Sequence, residues 1–113
     1  MARFAKVEYD KEHDVLYVGY GKKVEDSLKV GDFVIDFSKG DEMVGVEVFD
    51  ASKAVKDLNQ AKISKDMLSK FTVAQITTSR MRELMFFVVA LYISANNRSE
   101  KLLLQVPNVA ALN

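Results

Sequence analysis

Leu84-Met85-Phe86-Phe87-Val88-Val89-Ala90-Leu91-Tyr92-Ile93 constrains the fold of this chain more than any other segment. It is ten apolar residues without a charge, about half the roughly twenty that a membrane-spanning helix needs. Phe, Val, Tyr and Ile dominate it, which favours a strand. Met81, Leu84 and Met85 form helices well, so a helix over 80–93 stays open as the alternative. Successive residues of a strand point to opposite faces, so this strand would be apolar on both. Such a strand needs a layer on each side or a subunit interface. A helix from 51–71 could supply one layer. One domain with at most two helical pieces has little else to offer, and an exposed run of this kind invites aggregation. Self-association answers both problems, most simply as an isologous dimer. The interface candidates are Phe86, Phe87, Val88, Val89, Leu91 and Tyr92.

Outward from this run the pattern stays β-like on both sides. Val73–Ser79 is rich in Thr and β-branched residues, and Lys101–Val106 follows the turn Ala95–Glu100, where Asn96 and Asn97 tolerate left-handed backbone. Pro107 ends ladder pairing. These segments predict a three-stranded meander over 73–106. Upstream, Ala51, Ala54, Val55 and Leu58 recur at helical spacing, with Asp50 or Ser52 able to accept from the first free amides. Ser64 is a second cap candidate, with Met67, Leu68 and Phe71 as the apolar side. One bent helix and two short ones both fit 51–71. Residues 1–50 predict two hairpins. Ala5, Val7 and Tyr9 alternate with Lys6 and Glu8, and Val15–Tyr20 resumes after a polar turn. Phe33, Ile35 and Phe37 share a face, and Gly40 suits the positive φ of a turn before Val44, Val46 and Val48. Val24–Val30 reads as a short edge strand or an extended loop. The expectation is a single α+β domain over 1–113, with hairpins in 1–50, a helical segment at 51–71 and strands at 73–106.

Composition bounds the function. With 113 residues, 49% apolar and 28% charged, the chain can bury a core without staples. It has no cysteine, which removes disulfides, thiol nucleophiles and Cys-ligated zinc. Met1–Lys6 holds no apolar run suited to a signal peptide, and the cytoplasm is the expected location. Sixteen basic residues balance sixteen acidic ones, which argues against bulk attraction to nucleic acid or membrane. The balance conceals an asymmetry. Residues 1–60 hold nine basic and thirteen acidic side chains, a net of minus four, and residues 61–113 hold seven and three, a net of plus four. The halves either dock within the domain or meet across subunits, where complementarity sets register.

Three blocks carry a family resemblance. Tyr9–Val18, Val30–Phe37 and Val44–Lys53, the last containing Asp50-Ala51-Ser52, keep a characteristic order and spacing. Over roughly residues 6–58 the chain resembles the Domain of Unknown Function 2283 family, with His13 standing where such sequences often carry Ala. The resemblance implies a hairpin-rich α+β domain without an established activity, and an antitoxin-like role as a small protein partner of a toxin-type protein. No family resemblance is named for residues 59–113.

The remaining constellations are weak carriers of chemistry. Asp10, Glu12 and Asp14 have the opening spacing of a calcium loop, but the sixth position is Val15 where glycine is needed and the twelfth is Gly21 where a bidentate Glu is needed. An EF-hand is excluded; a hard-cation or ligand site at the Asp10–Asp14 turn is the alternative function. His13 is the only histidine, flanked by Glu12 and Asp14, and has no accompanying nucleophile. Gly19-Tyr20-Gly21-Lys22-Lys23 fails the Walker spacing. Arg80, Arg82 and Arg98 with Lys62, Lys65, Lys70 and Lys101 form a basic complement without interleaved aromatics for base stacking. The sequence therefore predicts no enzyme, no cofactor, no catalytic residue, and a small homo-oligomeric interaction module.

Overall fold

The period-two segments become eight strands: β1 (Phe4–Asp10), β2 (Val15–Gly19), β3 (Asp26–Val30), β4 (Phe33–Phe37), β5 (Met43–Phe49), β6 (Val73–Met81), β7 (Leu84–Tyr92) and β8 (Lys101–Pro107). Two helices, α1 (Ala51–Asn59) and α2 (Lys65–Leu68), lie between β5 and β6. The computed structural model describes residues 4–40, 42–59, 63–82 and 84–107. Asp41, Gln60 and Lys62, and the side chains of Leu58, Leu84 and Met85, lie outside what is described.

All eight strands form one antiparallel sheet in the order β3-β4-β5-β2-β1-β6-β7-β8. The two halves of the sequence join where β1 meets β6, with Phe4 opposite Gln75 and Lys6 opposite Val73. The third strand of the sheet leads into α1, and α1 packs against β8, the last strand. On a flat sheet those strands would stand about 24 Å apart, at ~4.8 Å per strand. A nine-residue helix is only about 13 Å long. The sheet must therefore curl, and it forms a half-barrel around the helices.

The inside of the curl is the core. Ala5 and Val7 of β1, Leu16 and Val18 of β2, Ile35, Val46 and Val48 form one cluster with Val89 and Leu91 of β7 and Leu102, Leu104 and Val106 of β8. The helices add Ala51, Val55 and Leu68, and Phe71 follows them. Burial of such side chains contributes about 1.5–3 kcal/mol each.

The fold is all-β, which corrects the α+β expectation. Helices of nine and four residues are too small to make a layer of their own. The curl does that work: one half of the sheet covers the other. Residues 51–71 contain two short helices, since α1 ends at Asn59 and α2 begins at Lys65. Ser64 caps α2 as expected, accepting from the Met67 amide at 3.1 Å. Residues 84–92 are strand, and the meander β6-β7-β8 forms as predicted. Residues 26–30 are an edge strand, and Gly40 has φ 95°.

Two glycines position the outer surface. Gly19 and Gly45 pair across β2 and β5, and the Tyr17 ring lies over both. A Cβ at Gly19 would stand 2.7 Å from Tyr17 Cζ, and one at Gly45 would stand 2.9 Å from Tyr17 Oη. The ring fills the gap in the sheet surface that two facing glycines leave, an arrangement known as aromatic rescue. Gly19→Ala is expected to cost about 1–2 kcal/mol by displacing the ring. In a Tyr17→Ala background the same change becomes neutral or stabilising, because a strand prefers Ala to Gly by about 0.5–1 kcal/mol. Urea titration of the double-mutant cycle checks this; additive losses would count against the packing.

Candidate functional site

The convex face of the half-barrel carries the surface features suited to binding, and strand register specifies them. One rung crosses the whole sheet: Ser27, Asp36, Gly45, Gly19, Lys6, Val73, Tyr92 and Lys101. Toward one end of the strands, the next convex rungs are Glu8-Tyr17-Glu47 and Asp10-Val15-Phe49. Toward the other end they are Phe4-Gln75-Ala90-Leu103, then Thr77-Val88-Gln105, then Ser79-Phe86-Pro107. The negative half of the chain thus builds one part of this face and the positive half the other.

The first part is a depression of about 790 Å³ lined by Glu8, Tyr9, Asp10, His13, Val15, Tyr17, Glu47 and Phe49. Its lining combines aromatic and aliphatic side chains with the acidic Glu8, Asp10 and Glu47. Phe49 is 37% exposed, a large side chain left open to solvent. Burial pushes the Tyr17 hydroxyl's pKa up, and the charges of Asp36, Glu47 and Glu8 push it further. Lys6 pairs with Glu8 at 2.9 Å and His13 with Asp10 at 2.8 Å. Glu47 has no ion-pair partner among the described residues.

The second part is an apolar strip along β7. Phe87, Val89 and Leu91 turn inward, Val89 and Leu91 fully buried and Phe87 packed against the core. Phe86, Val88 and Ala90 turn outward and are half-buried on the convex face. Tyr92 also lies on this face, buried beneath Arg98, whose guanidinium carbon sits 4.8 Å from the centre of the Phe4 ring and 5.8 Å from that of Tyr92. Its Nε donates to the Ala95 carbonyl at 2.9 Å. Arg98 is thus held by two rings and a carbonyl, with no carboxylate partner among the described residues. The six apolar candidates divide between core and outer surface, a distinction that the period of two allows but that only the direction of curl settles.

The Asp10–Asp14 turn splits its three carboxylates. Asp10 accepts from the His13 amide at 3.2 Å, and the His13 hydrogen bonds hold its carboxyl below the usual range. Glu12 is exposed. Asp14, with φ 54°, turns the other way, to the start of α1. Its carboxylate accepts from the Tyr9 hydroxyl at 2.5 Å, the Ser52 hydroxyl at 2.7 Å and the Ser52 amide at 3.1 Å, and its carbonyl accepts from the Ala51 amide at 3.0 Å. The side chain that caps α1 is therefore that of Asp14, thirty-eight positions before Ser52, while Asp50 accepts from the Lys53 and Ala54 amides at 3.1 and 3.2 Å through its carbonyl and Ser52 donates. Nothing in local spacing announces a cap that arrives through tertiary structure. Among the described residues no group of three or more His, Cys, Asp or Glu side chains could hold a metal ion. The basic complement is also dispersed: Lys65 lies near Asp14, Arg80 donates to the Arg82 carbonyl at 3.1 Å, and Arg98 stands on the convex face. Among the described residues no helix is long and apolar enough to cross a membrane.

Fold and surface together define an all-β protein whose outer sheet face is half acidic and half apolar. Residues 6–52 match the family model described as a protein of unknown function, DUF2283, the family resembled by the three sequence blocks. The matched region runs from within β1 through β5 and ends at Ser52, so it contains both sides of the Asp14 cap. The chain is also similar to an uncharacterized protein of Methanocaldococcus jannaschii, 33% identical over 73 residues. That similarity covers 64% of this chain and 62% of the relative, less than two thirds of its length. No solved structure matches.

Proposed function

We propose that this protein is a small interaction module that self-associates through the convex face of its C-terminal strands. The observation that carries this reading is the composition of β7. Its inward side chains satisfy the core, yet the outward ones, Phe86, Val88 and Ala90, are apolar too. Outward positions of an antiparallel sheet that meets only water usually alternate to polar residues. The neighbouring strand β6 does so, with Gln75, Thr77 and Ser79 on the same face. Leu103 and Pro107 of β8 extend the apolar strip sideways. Arg98 and Tyr92 beside it belong to the residue types that dominate interface energetics.

The double variant Phe86→Lys with Val88→Lys tests the proposal. Wild-type protein should sediment as a dimer, and the variant as a monomer with an unchanged circular dichroism spectrum. A wild-type protein that stays monomeric across the micromolar range would overturn the reading, as would a variant that keeps the dimer.

A further inference from the structure

We infer that the depression on the N-terminal half of the convex face binds an arginine side chain presented by a partner polypeptide. The inference goes beyond self-association and does not rest on it, because the apolar strip lies on the other half of the sheet.

Strand register builds the depression. Two neighbouring rungs cross β1, β2 and β5: Glu8-Tyr17-Glu47 and Asp10-Val15-Phe49. The Tyr17 ring leans along its strand over Gly19 and Gly45, away from Val15. Because Val15 is short, a trough one strand wide is left over β2, flanked by side chains of β1 and β5. The flanking strands stand about 10 Å apart, at ~4.8 Å per strand, which leaves room for one aliphatic stem between them. The volume of about 790 Å³ falls within the range of ligand sites.

The lining fits an occupant that is apolar along its length and cationic at its end. Val15 and the exposed Phe49 ring can cover aliphatic carbons. One rung further, about 7 Å along the strands, Tyr17 stands between Glu8 and Glu47. An arginine laid along β2 spans that distance, its stem on Val15 and Phe49 and its guanidinium at the Tyr17 ring between two carboxylates. Guanidinium groups favour both contacts, stacking on aromatic rings and donating paired hydrogen bonds to carboxylates. Lys6 pairs with Glu8 at 2.9 Å and His13 with Asp10 at 2.8 Å, while Glu47 has no ion-pair partner among the described residues. Burial, and then the charges of Asp36, Glu47 and Glu8, raise the pKa of the Tyr17 hydroxyl, so the field across the ring is negative. Glu8 and Glu47 are splayed across two strand spacings and do not converge, which suits a broad, delocalised cation better than a metal ion.

Shape decides between a free amine and a side chain on a polypeptide. The depression opens onto the sheet surface, with Phe49 37% exposed. Sites for free small molecules bury roughly 70–90% of the ligand, which an open trough does not. An arginine carried by a polypeptide gains the remaining contacts from its chain neighbours, lying on the rim.

Nuclear magnetic resonance tests this. Isotopically labelled protein is titrated with the acetylated, amidated tripeptide Ala-Arg-Ala and with its citrulline counterpart, which keeps the shape and removes the charge. Saturable shifts are expected at the amides of Val15, Tyr17, Glu47 and Phe49, with the citrulline peptide about tenfold or more weaker. Glu47→Gln and Phe49→Ala should each weaken binding about fivefold. Lys6→Gln should strengthen it about twofold by releasing Glu8. Circular dichroism confirms that the variants fold, and the citrulline comparison needs no variant at all. Equal binding of the two peptides, or no saturable shift at these amides, overturns the inference. An equal response to spermidine or to magnesium chloride also overturns it, since the occupant is then a free polyamine or a metal ion. Sedimentation reads self-association separately: a monomer that binds the arginine peptide keeps this inference and removes the earlier reading.

Discussion

Val89→Lys is expected to abolish cooperative folding, whereas Val88→Lys, one residue along the same strand, leaves it intact. Val89 is fully buried in the core between the two halves of the curled sheet. An ammonium there has no acid to pair with, because the buried set among the described residues holds no polar or charged side chain. A cost of about 4 kcal/mol or more is comparable with the whole stability of a domain, about 5–15 kcal/mol. Val88 is half-buried on the convex face, where a lysine stem can lie along the sheet and put its charge in water. Its expected cost to folding is within about 1 kcal/mol. Thermal and urea unfolding of the two variants checks the contrast. Equal losses would mean that β7 is covered on both sides, and a larger loss for Val88→Lys would mean that its convex-facing side is the buried one.

Asp14→Ala is expected to lower stability by about 3 kcal/mol, a large effect for a turn residue. Three hydrogen bonds to one carboxylate are lost, the half-buried Tyr9 hydroxyl loses its acceptor, and alanine must occupy φ 54°. Asp14→Asn tolerates that backbone and keeps an acceptor, so it should cost roughly half as much. The same carboxylate sets part of the acid limit. Burial alone would raise its pKa, but the Tyr9 hydroxyl, the Ser52 hydroxyl and amide, and the charge of Lys65 outweigh burial and hold it below the usual range. A group depressed in the folded state stabilises above its unfolded pKa of about 4 and loses that contribution as pH falls through the folded value. Stability measured by urea titration should therefore fall below about pH 4, and fall less in Asp14→Ala. Tyr9 works at the alkaline end. Burial, then the hydrogen bond to Asp14 and the charges of Asp14 and Asp10, hold its pKa well above the ordinary value. Its contribution is present below the unfolded value of about 10 and is lost as pH rises beyond it.

Strands were legible wherever one face is buried and the other wet. Phe33, Ile35 and Phe37 alternate in sequence and do so in space, and the three C-terminal strands stand close to where composition puts them. Turn chemistry was legible at Gly40 and at Ser64, because each acts on its own neighbours. The cap of α1 was not legible. Asp50 and Ser52 are chemically able, but the carboxylate that does the work comes from the β1–β2 turn. The α+β expectation fails for a related reason. Helical periodicity in 51–71 is real, and nothing local says that two helices this short will fill a sheet's concavity without forming a layer.

Most of the strands, the turn at Gly40, the cap at Ser64, the family resemblance over roughly residues 6–58 and the separation of charge between the halves are legible in the chain, since each is a property of neighbouring residues. Packing in three dimensions set the rest. The β1–β6 pairing joined the acidic and basic halves into one sheet, and the curl chose which side of β7 became core and which became surface. Alternation alone cannot make that choice. A strand apolar on both faces has the same pattern either way, and only the packing of the other seven strands breaks the tie.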